Sequence, residues 1–348
     1  MKAAVLYGDN DVRVEEVATP QPGPGQVLVR VRSAGICGSD IPRLFRGGAH
    51  GYPIILGHEF AGEVAELGQG VQGLKVGDRV AGAPLLPCMV CEDCQQGHFS
   101  LCKHYSFIGS RQPGAFAEYV ALPARNAVKF HASVSFDQAA FFEPSTVALH
   151  GLFCGDFHPG GQVAVLGCGT IGAFAVQWAR ILGARRVVAL DVSEERLALA
   201  TRLGATDTVN TAQGDWMQQV KDMTAGRGFE DVFETAGATA TMHMAFELAG
   251  NKARVCFVGT PTREVTFTPR LWENLNRKEM HVTGSWMSYS APFPGKEWQL
   301  TSHYMGTGAL RFEEGLIHRR FPLTQAAQAV ALLGQGPVPG KVLLTMQD

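Results

Sequence analysis

The sequence predicts an α/β protein that combines a doubly wound parallel sheet with a β-rich, barrel-like domain. In residues 161–286, six apolar runs alternate with helix-forming segments, as in parallel strands joined by crossover helices. Residues 1–33 contain short strand-like runs between Gly- and Pro-rich turns and show no helical period. We expect a first domain in residues 1–151, a second domain in residues 152–286, and a return to the first domain in residues 287–348.

The first domain begins with strands. The runs AAVLY, DVRVEEV and QVLVRVRSAG carry regularly spaced apolar side chains, and the turn PQPGPGQ precedes the third run. Strand-like segments continue in VGDRVAGAP and AEYVALPARNAVKF. From Phe136 to Phe153 the apolar period becomes helical, and we interpret this segment as the crossing into the second domain.

A lobe predicted in residues 86–105 contains half of the eight cysteines. Two residues separate each of the first three cysteines, and the fourth follows after seven more: Cys88, Cys91, Cys94 and Cys102. Four thiolates so close in sequence can surround one Zn²⁺ tetrahedrally and leave no position for a substrate. The spacing favours a structural zinc site, with an iron–sulfur cluster or four independent core thiols as the alternatives.

The second domain opens with the apolar strand QVAVLG, a glycine turn and a helix from Ile171 to Leu182. Gly167, Gly169 and Gly172 form the pattern GxGxxG, and Asp191 ends the next strand about 20 residues later. This arrangement predicts a dinucleotide site, with the pyrophosphate at the helix N-terminus. Asp191 would accept hydrogen bonds from the ribose hydroxyls and repel a 2′-phosphate, which favours NAD over NADP. The alternative is an ordinary strand–helix turn that binds nothing.

Further expected cofactor contacts lie in the same helix and the next one. Thr170 and Ile171 open the helix after the glycine turn, and Arg196 follows Asp191 in the segment SEERLALATRLG. The last two strand segments of this domain, ARVCFVG and EMHVTGSW, could leave an apolar edge that pairs across a two-fold axis.

Length and composition suit a globular protein with two cores. The chain has 348 residues, 46% of them hydrophobic and 18% charged, and a formal net charge of −2. Such a charge provides no general attraction to nucleic acid or to an anionic membrane. We find no apolar run of about 20 residues and no signal sequence. We therefore expect no nucleic-acid or membrane partner and a cytoplasmic location.

A second metal site is suggested by three residues far apart in the sequence. Cys37, His58 and Glu143 each lie in a Gly-rich or Pro-flanked segment. A thiolate, an imidazole and a carboxylate leave a fourth position on Zn²⁺ for water or a substrate oxygen. Spacing alone cannot link these three residues to one another.

The motifs CGSD, GHE, CxxCxxC with a fourth cysteine, and GxGxxG occur in an order that resembles the zinc-dependent medium-chain alcohol and polyol dehydrogenases over essentially the whole chain. The resemblance implies a GroES-like catalytic domain, a Rossmann NAD-binding domain, and two zinc ions per chain. It implies that Cys37, His58 and Glu143 bind the catalytic zinc, with Glu59 as a second carboxylate beside it. It also implies that Ser39 receives the substrate proton and that the enzyme is a homodimer or homotetramer.

Several segments narrow the expected substrate. CGSDIPRLFRGGAHGYP, FIGSRQPGAFAEY and GSWMSYSAPFPGKEW resemble the family members that oxidise sugar-alcohol phosphates. A phosphate group needs cationic donors. The candidates in the segments expected to rim the metal site are Arg43, which we favour, and Arg46, His104, Arg111 and Lys296. Trp286 is a candidate wall of the substrate site, although core packing explains it equally well.

Two alternatives remain open at this point. The first keeps the chemistry and changes the substrate to a free polyol, such as sorbitol or xylitol, or to threonine. The second is a non-catalytic sensor that binds nucleotide and zinc without turnover.

Overall fold

The computed structural model describes residues 1–346 and divides the chain into two units. Unit 1 comprises residues 1–143, residues 289–308 and the chain from residue 314 onward. Unit 2 comprises residues 144–288 and 309–313. The first boundary lies between Glu143 and Pro144, which is earlier than the position at residue 151 expected from the sequence.

The N-terminal part of unit 1 is mostly β-structure. Its strands are β1 (Lys2–Gly8), β2 (Asp11–Glu16), β3 (Gln26–Gly35), β4 (Ile54–Ile55), β5 (Glu59–Leu67), β6 (Arg79–Gly82), β7 (Leu85–Leu86), β8 (Ser106–Phe107), β9 (Tyr119–Pro123) and β10 (Ala127–Lys129). Its short helices are α1 (Asp40–Phe45), α2 (Glu92–Gln95) and α3 (Phe136–Ala139). Helix α4 (Phe142–Cys154) begins in unit 1 and continues into unit 2.

Unit 2 contains a six-stranded sheet in which every neighbouring pair is parallel. Its strands are β11 (Gln162–Leu166), β12 (Arg186–Asp191), β13 (Asp207–Asn210), β14 (Phe229–Glu234), β15 (Ala249–Phe257) and β16 (His281–Gly284). The helices are α5 (Thr170–Ile181), α6 (Glu194–Arg202), α7 (Trp216–Met223), α8 (Thr239–Leu248) and α9 (Pro269–Arg277). The strand order β13-β12-β11-β14-β15-β16 is that of a Rossmann fold, which confirms the predicted fold class.

The C-terminal part of unit 1 completes its larger sheet. The elements are α10 (Lys296–Gly306), β17 (Ile317–Pro322), α11 (Ala326–Gly334) and β18 (Lys341–Thr345). Strand β18 pairs antiparallel with β3 and parallel with β17, so the order is β10-β6-β5-β3-β18-β17, with β9 also paired to β3. A smaller sheet has the order β2-β1-β4.

Burial patterns explain why the two sheets differ in sequence. All five residues of β11 are buried, as expected of a parallel strand covered on both faces by helices. Strand β2 has no fully buried residue, which suits the edge of an antiparallel sheet. Each unit has its own apolar core. Among residues 1–346, none of the helices is both long and apolar enough to cross a bilayer.

Candidate active site and metal centres

Strand pairing brings the first group of candidate metal ligands together. Cys37 lies just beyond the end of β3, and His58 and Glu59 lie at the start of β5. The two strands are antiparallel neighbours with Gly35 opposite Glu59, so these ends meet. One ligand atom from each of Cys37, His58 and Glu59 lies within 4.8 Å of the others.

Asp40 orients this cluster, and sequence reasoning gave it no role. The side chain is fully buried, and Oδ1 lies 3.5 Å from Nδ1 of His58. Oδ2 accepts a 3.0 Å hydrogen bond from the Cys37 N–H. A carboxylate beside one ring nitrogen fixes the imidazole so that the other nitrogen can bind a metal. The available signal was its place in CGSD, three residues after Cys37.

The electrostatics of the cluster favour a cation. Burial opposes a charge on His58, but the negative charges of Asp40 and Cys37 raise its pKa well above the usual value. Burial also opposes ionisation of Asp40, and the charges of His58 and Arg43 nevertheless lower its pKa. The donor set of thiolate, imidazole and carboxylate is the one that binds Zn²⁺ in proteins. The residues present therefore fit a zinc ion.

Lys341 is a second residue that sequence reasoning missed. Its Nζ lies 2.8 Å from Oε1 and 2.5 Å from Oε2 of Glu59, and both side chains are buried. Burial disfavours the lysine charge, yet the charges of Glu59 and Cys37 raise its pKa. The Lys341 ammonium group thus holds the Glu59 side chain beside Cys37 and His58. No local motif could reveal this pair, because the partners are 282 positions apart.

Glu143 lies in the first turn of α4 and within electrostatic range of the same group. Burial, and then the negative charge of Glu59, raise the pKa of Glu143 to about 7, while His58 and Lys341 oppose the shift. The 4.8 Å cluster contains Glu59 and does not include Glu143. The structure thus places both carboxylates predicted for this site near His58.

Ser39 and Arg43 form one unit beside the cluster. The Ser39 N–H lies 3.5 Å from the Cys37 sulfur, and the residue is exposed at the N-terminus of α1. Nη1 of Arg43 donates to the Ser39 carbonyl at 2.7 Å and approaches the Ser39 hydroxyl at 3.2 Å. It also lies 3.4 Å from Asp40. Arg43 therefore holds the loop that carries Ser39.

Two further substrate candidates lie in exposed positions. Arg46 ends α1 and is exposed, and its backbone N–H donates to Pro42. Trp286 follows β16 in unit 2 and is 51% exposed. Neither belongs to the ligand cluster around Cys37.

The four cysteines of the lobe converge as their spacing predicts. The sulfurs of Cys88 and Cys94 are 4.0 Å apart, and those of Cys91 and Cys102 are 3.9 Å apart. A ZnS₄ tetrahedron with Zn–S bonds of about 2.3 Å has edges of about 3.8 Å. Backbone N–H groups of Val90 and Cys91 lower the pKa of Cys88, which favours its thiolate. The geometry and the donors fit a structural zinc ion.

The glycine turn of unit 2 has the shape that a pyrophosphate requires. Gly167 has a φ of +89°, which favours glycine. A Cβ on Gly172 would collide with the Gly167 carbonyl, whereas one on Gly169 would meet no atom within 4 Å. The turn is therefore closely packed on the Gly172 side and open at Gly169. Helix α5 begins at Thr170 and Ile171, so its free N–H groups point toward that opening.

Asp191 contacts the glycine turn through the backbone of Cys168. It is 7% exposed at the end of β12, and its Oδ2 accepts a 2.7 Å hydrogen bond from the Cys168 N–H. Oδ1 accepts a 2.9 Å hydrogen bond from the Ser193 N–H. Nη1 of Arg196 lies 3.9 Å from Oδ2. An acidic residue fixed at this position can recognise a ribose diol.

Comparisons with known proteins agree with these sites. Residues 23–132 match the family model for the alcohol dehydrogenase GroES-like domain, and residues 170–302 match the model for zinc-binding dehydrogenases. The chain is 41% identical over 345 residues to galactitol 1-phosphate 5-dehydrogenase of Escherichia coli K12, covering 99% of each chain. It is 34% identical over 268 residues to sorbitol dehydrogenase of Bacillus subtilis, covering 76% of each.

A solved structure shows the same architecture. The crystal structure of galactitol-1-phosphate dehydrogenase from Escherichia coli superposes with a TM-score of 0.94 at 41% identity, covering 99% of this chain and 100% of that one. The chain is thus an oxidoreductase whose cofactors are NAD and zinc, with a structural zinc site at the four-cysteine lobe. It belongs to the zinc-binding medium-chain alcohol and polyol dehydrogenases.

Proposed function

We propose that this enzyme oxidises galactitol 1-phosphate to tagatose 6-phosphate and transfers the hydride to NAD. The observation that carries the proposal is the cluster of Cys37, His58 and Glu59 beside the loop of Ser39. The relative with 41% identity over nearly the whole chain supports the choice of a sugar-alcohol phosphate.

The residues of unit 1 would hold the metal and move the proton. Cys37, His58 and Glu143 would bind the catalytic zinc, and Glu59 would supply a second carboxylate that Lys341 holds in place. Bound zinc supplies Lewis acidity, which lowers the pKa of an alcohol hydroxyl. Ser39 would accept the hydroxyl proton, and Arg43 would keep Ser39 in place through its two contacts.

The residues of unit 2 would bind the dinucleotide. Gly167, Gly169 and Gly172 leave room for the pyrophosphate at the start of α5, together with Thr170 and Ile171. Asp191 would accept hydrogen bonds from the adenosine ribose, with Arg196 beside it. Bound there, NAD would supply the acceptor for the hydride that leaves the carbinol carbon as this carbon becomes a ketone.

A substrate panel tests this assignment. NADH formation should be compared for galactitol 1-phosphate, sorbitol, xylitol and threonine at equal zinc occupancy. We expect the highest kcat/KM for galactitol 1-phosphate. An equal or higher kcat/KM for a free polyol or threonine would reassign the substrate, and NADH binding without turnover of any alcohol would favour the sensor.

We also propose a homodimer or homotetramer in the cytoplasm. Strand β16 is an edge of the six-stranded sheet, all four of its residues are exposed, and Val282 is 37% exposed. Such an edge can pair with a second copy across a two-fold axis. A reducing compartment suits eight cysteines without a disulfide. Sedimentation equilibrium gives the mass, and a monomer at micromolar concentration would contradict the assembly.

A further inference from the structure

A cavity of about 260 Å³ lies in unit 1, outside the ligand cluster. Its polar lining residues are His50, Tyr52, Ser110 and Arg111. None of these was assigned a part in the metal or cofactor chemistry above. The volume is sufficient for a phosphate group with part of an attached carbon chain.

The charge around this cavity is positive. Arg111 lines it together with His50, and Arg43 is near enough to influence His50. Burial, followed by the charges of Arg111 and Arg43, lowers the pKa of His50, and no carboxylate contributes to that shift. Asp9 touches the Tyr52 hydroxyl at 3.3 Å, but it already accepts the Gly47 N–H at 2.8 Å and does not line the cavity. The residues that line the cavity therefore include the Arg111 guanidinium and no carboxylate.

The hydroxyl of a buried serine completes the wall. Ser110 is 3% exposed, and its backbone N–H donates to the Phe107 carbonyl at 3.3 Å. Within residues 1–346, its hydroxyl makes no hydrogen bond. Although the residue is buried, its oxygen is not among the enclosed side-chain atoms without a partner, so the hydroxyl is open to the cavity and can donate to a polar ligand there.

Both sides of the cavity connect to the metal cluster. The segment that carries Ser110 and Arg111 starts at Phe107, whose ring lies edge-on to His58 with centroids 5.6 Å apart. On the other side, Arg43 bonds the loop of Ser39 and lies 3.4 Å from Asp40. A substrate with its hydroxyl at the cluster could therefore place its far end in the cavity.

We propose that this cavity is the phosphate subsite of the substrate, with Arg111 providing the charge, His50 a ring N–H donor and Ser110 a hydroxyl donor. The inference rests on the proposed function, because it assigns one end of that substrate. Arg43 then acts as a positioning residue for Ser39 rather than as the main phosphate ligand, since its Nη1 already contacts Ser39 and Asp40.

The test compares Arg111→Gln with wild type on galactitol 1-phosphate and on sorbitol. Loss of one charge-assisted hydrogen-bond donor should raise the KM for galactitol 1-phosphate roughly tenfold to hundredfold. The KM for sorbitol and the kcat should stay within about twofold, since sorbitol has no phosphate. Ser110→Ala should raise the KM for galactitol 1-phosphate by a smaller factor and leave the KM for sorbitol unchanged. An unchanged KM, or an equal rise for both substrates, would overturn the subsite.

Two control variants separate charge from folding. Arg111 also stacks on Tyr105 at 4.4 Å, so Arg111→Lys, which keeps the charge, should recover part of the lost affinity. Arg46→Gln removes an exposed cation from the end of α1 that does not line the cavity, and it should leave both KM values unchanged. If Arg46→Gln raised only the KM for galactitol 1-phosphate and Arg111→Gln did not, the phosphate would bind near Arg46 and not in this cavity.

Calorimetric binding of galactitol 1-phosphate distinguishes this inference from the proposed function. Binding by wild type that is weakened in Arg111→Gln, but without NADH formation, would refute the proposed reaction and support the subsite. Oxidation of galactitol 1-phosphate with equal binding by both proteins would refute the subsite alone. Absence of binding by wild type would refute both.

Discussion

Lys341 and Glu59 form a buried ion pair whose partners depend on each other. Breaking such a pair leaves one charge buried without compensation, which costs about 3–5 kcal/mol. We predict that Lys341→Met lowers the free energy of unfolding of unit 1 by that amount, as measured by urea denaturation. Lys129→Met is the matched control, because Lys129 is 52% exposed in its pair with Asp78. We expect the control to lose less than about 1 kcal/mol, and equal losses would contradict the assignment.

Asp231 gives unit 2 a pH-dependent stability. It is 1% exposed, neither oxygen has a hydrogen-bond partner among the described residues, and burial raises its pKa to about 7. The folded state therefore keeps a proton that the unfolded state loses near pH 4. Between these values the folded state binds more protons, so this residue makes unit 2 progressively less stable as pH rises from 4 to 7.

Because the Asp231 carboxylate destabilises unit 2 at high pH, its replacement by a neutral amide should stabilise the protein there. We predict that Asp231→Asn increases the free energy of unfolding at pH 8 by a few kcal/mol and changes it little at pH 4. Urea unfolding of both proteins at the two pH values measures this difference. Asp207→Asn is the control of opposite sign, because Arg186 lowers the pKa of Asp207. A loss of stability at pH 8 for Asp231→Asn would refute the explanation.

We propose that Asp191 sets the preference of the enzyme for NAD over NADP. Its two oxygens accept backbone hydrogen bonds from Cys168 and Ser193, which hold the carboxylate at the end of β12. In Asp191→Ser the negative charge is lost, and Arg196, which lies 3.9 Å away, becomes able to pair with a 2′-phosphate. We expect kcat/KM to fall roughly tenfold to hundredfold for NAD and to rise for NADP. Steady-state rates with both dinucleotides check this, and an unchanged ratio would be incompatible with the role.

At the scale of elements, the four-cysteine lobe depends on its metal. Helix α2 has four residues, and the only one of them that is buried is Cys94. A segment with so little apolar burial needs a metal to fix its shape. We predict that Cys94→Ser lowers the zinc content from two ions per chain to one and makes residues near 88–102 sensitive to protease. Cys154→Ser is the control, and elemental analysis showing two zinc ions in Cys94→Ser would disprove the assignment.

Two features could be predicted from local motifs, because all the residues that form each of them lie in one short segment. The glycine turn at Gly167–Gly172 and the cysteine lobe each need only neighbouring residues, and the structure forms both as expected. The ion pair of Glu59 with Lys341 needs β3 to lie between β5 and β18, which no short segment encodes. Asp40 was visible beside Cys37, but its contact with His58 depends on the same strand pairing.

At the scale of the whole molecule, the sequence predicted the number of strands in the parallel sheet better than it predicted the position of the boundary between the two units. The six strand segments expected between 161 and 286 are six parallel strands in the structure, with the central strand β11 buried throughout and the edge strand β16 exposed. The unit boundary between Glu143 and Pro144 lies near the start of one continuous helix, α4, where the helical period gives no signal. Arg111 was a phosphate candidate from the sequence, but its place in one cavity with His50 and Ser110 was not predicted, since the two walls come from loops about 60 residues apart.

The central claim is that an open zinc site at Cys37, His58 and Glu143 oxidises a polyol phosphate with NAD. The most direct measurement is NADH formation from galactitol 1-phosphate by wild type and by Cys37→Ser, with zinc content and NAD binding determined on the same preparations. We expect Cys37→Ser to retain NAD binding and the structural zinc but to lose the second zinc and all detectable turnover. Retained turnover in a Cys37→Ser preparation that contains only the structural zinc would contradict the central claim.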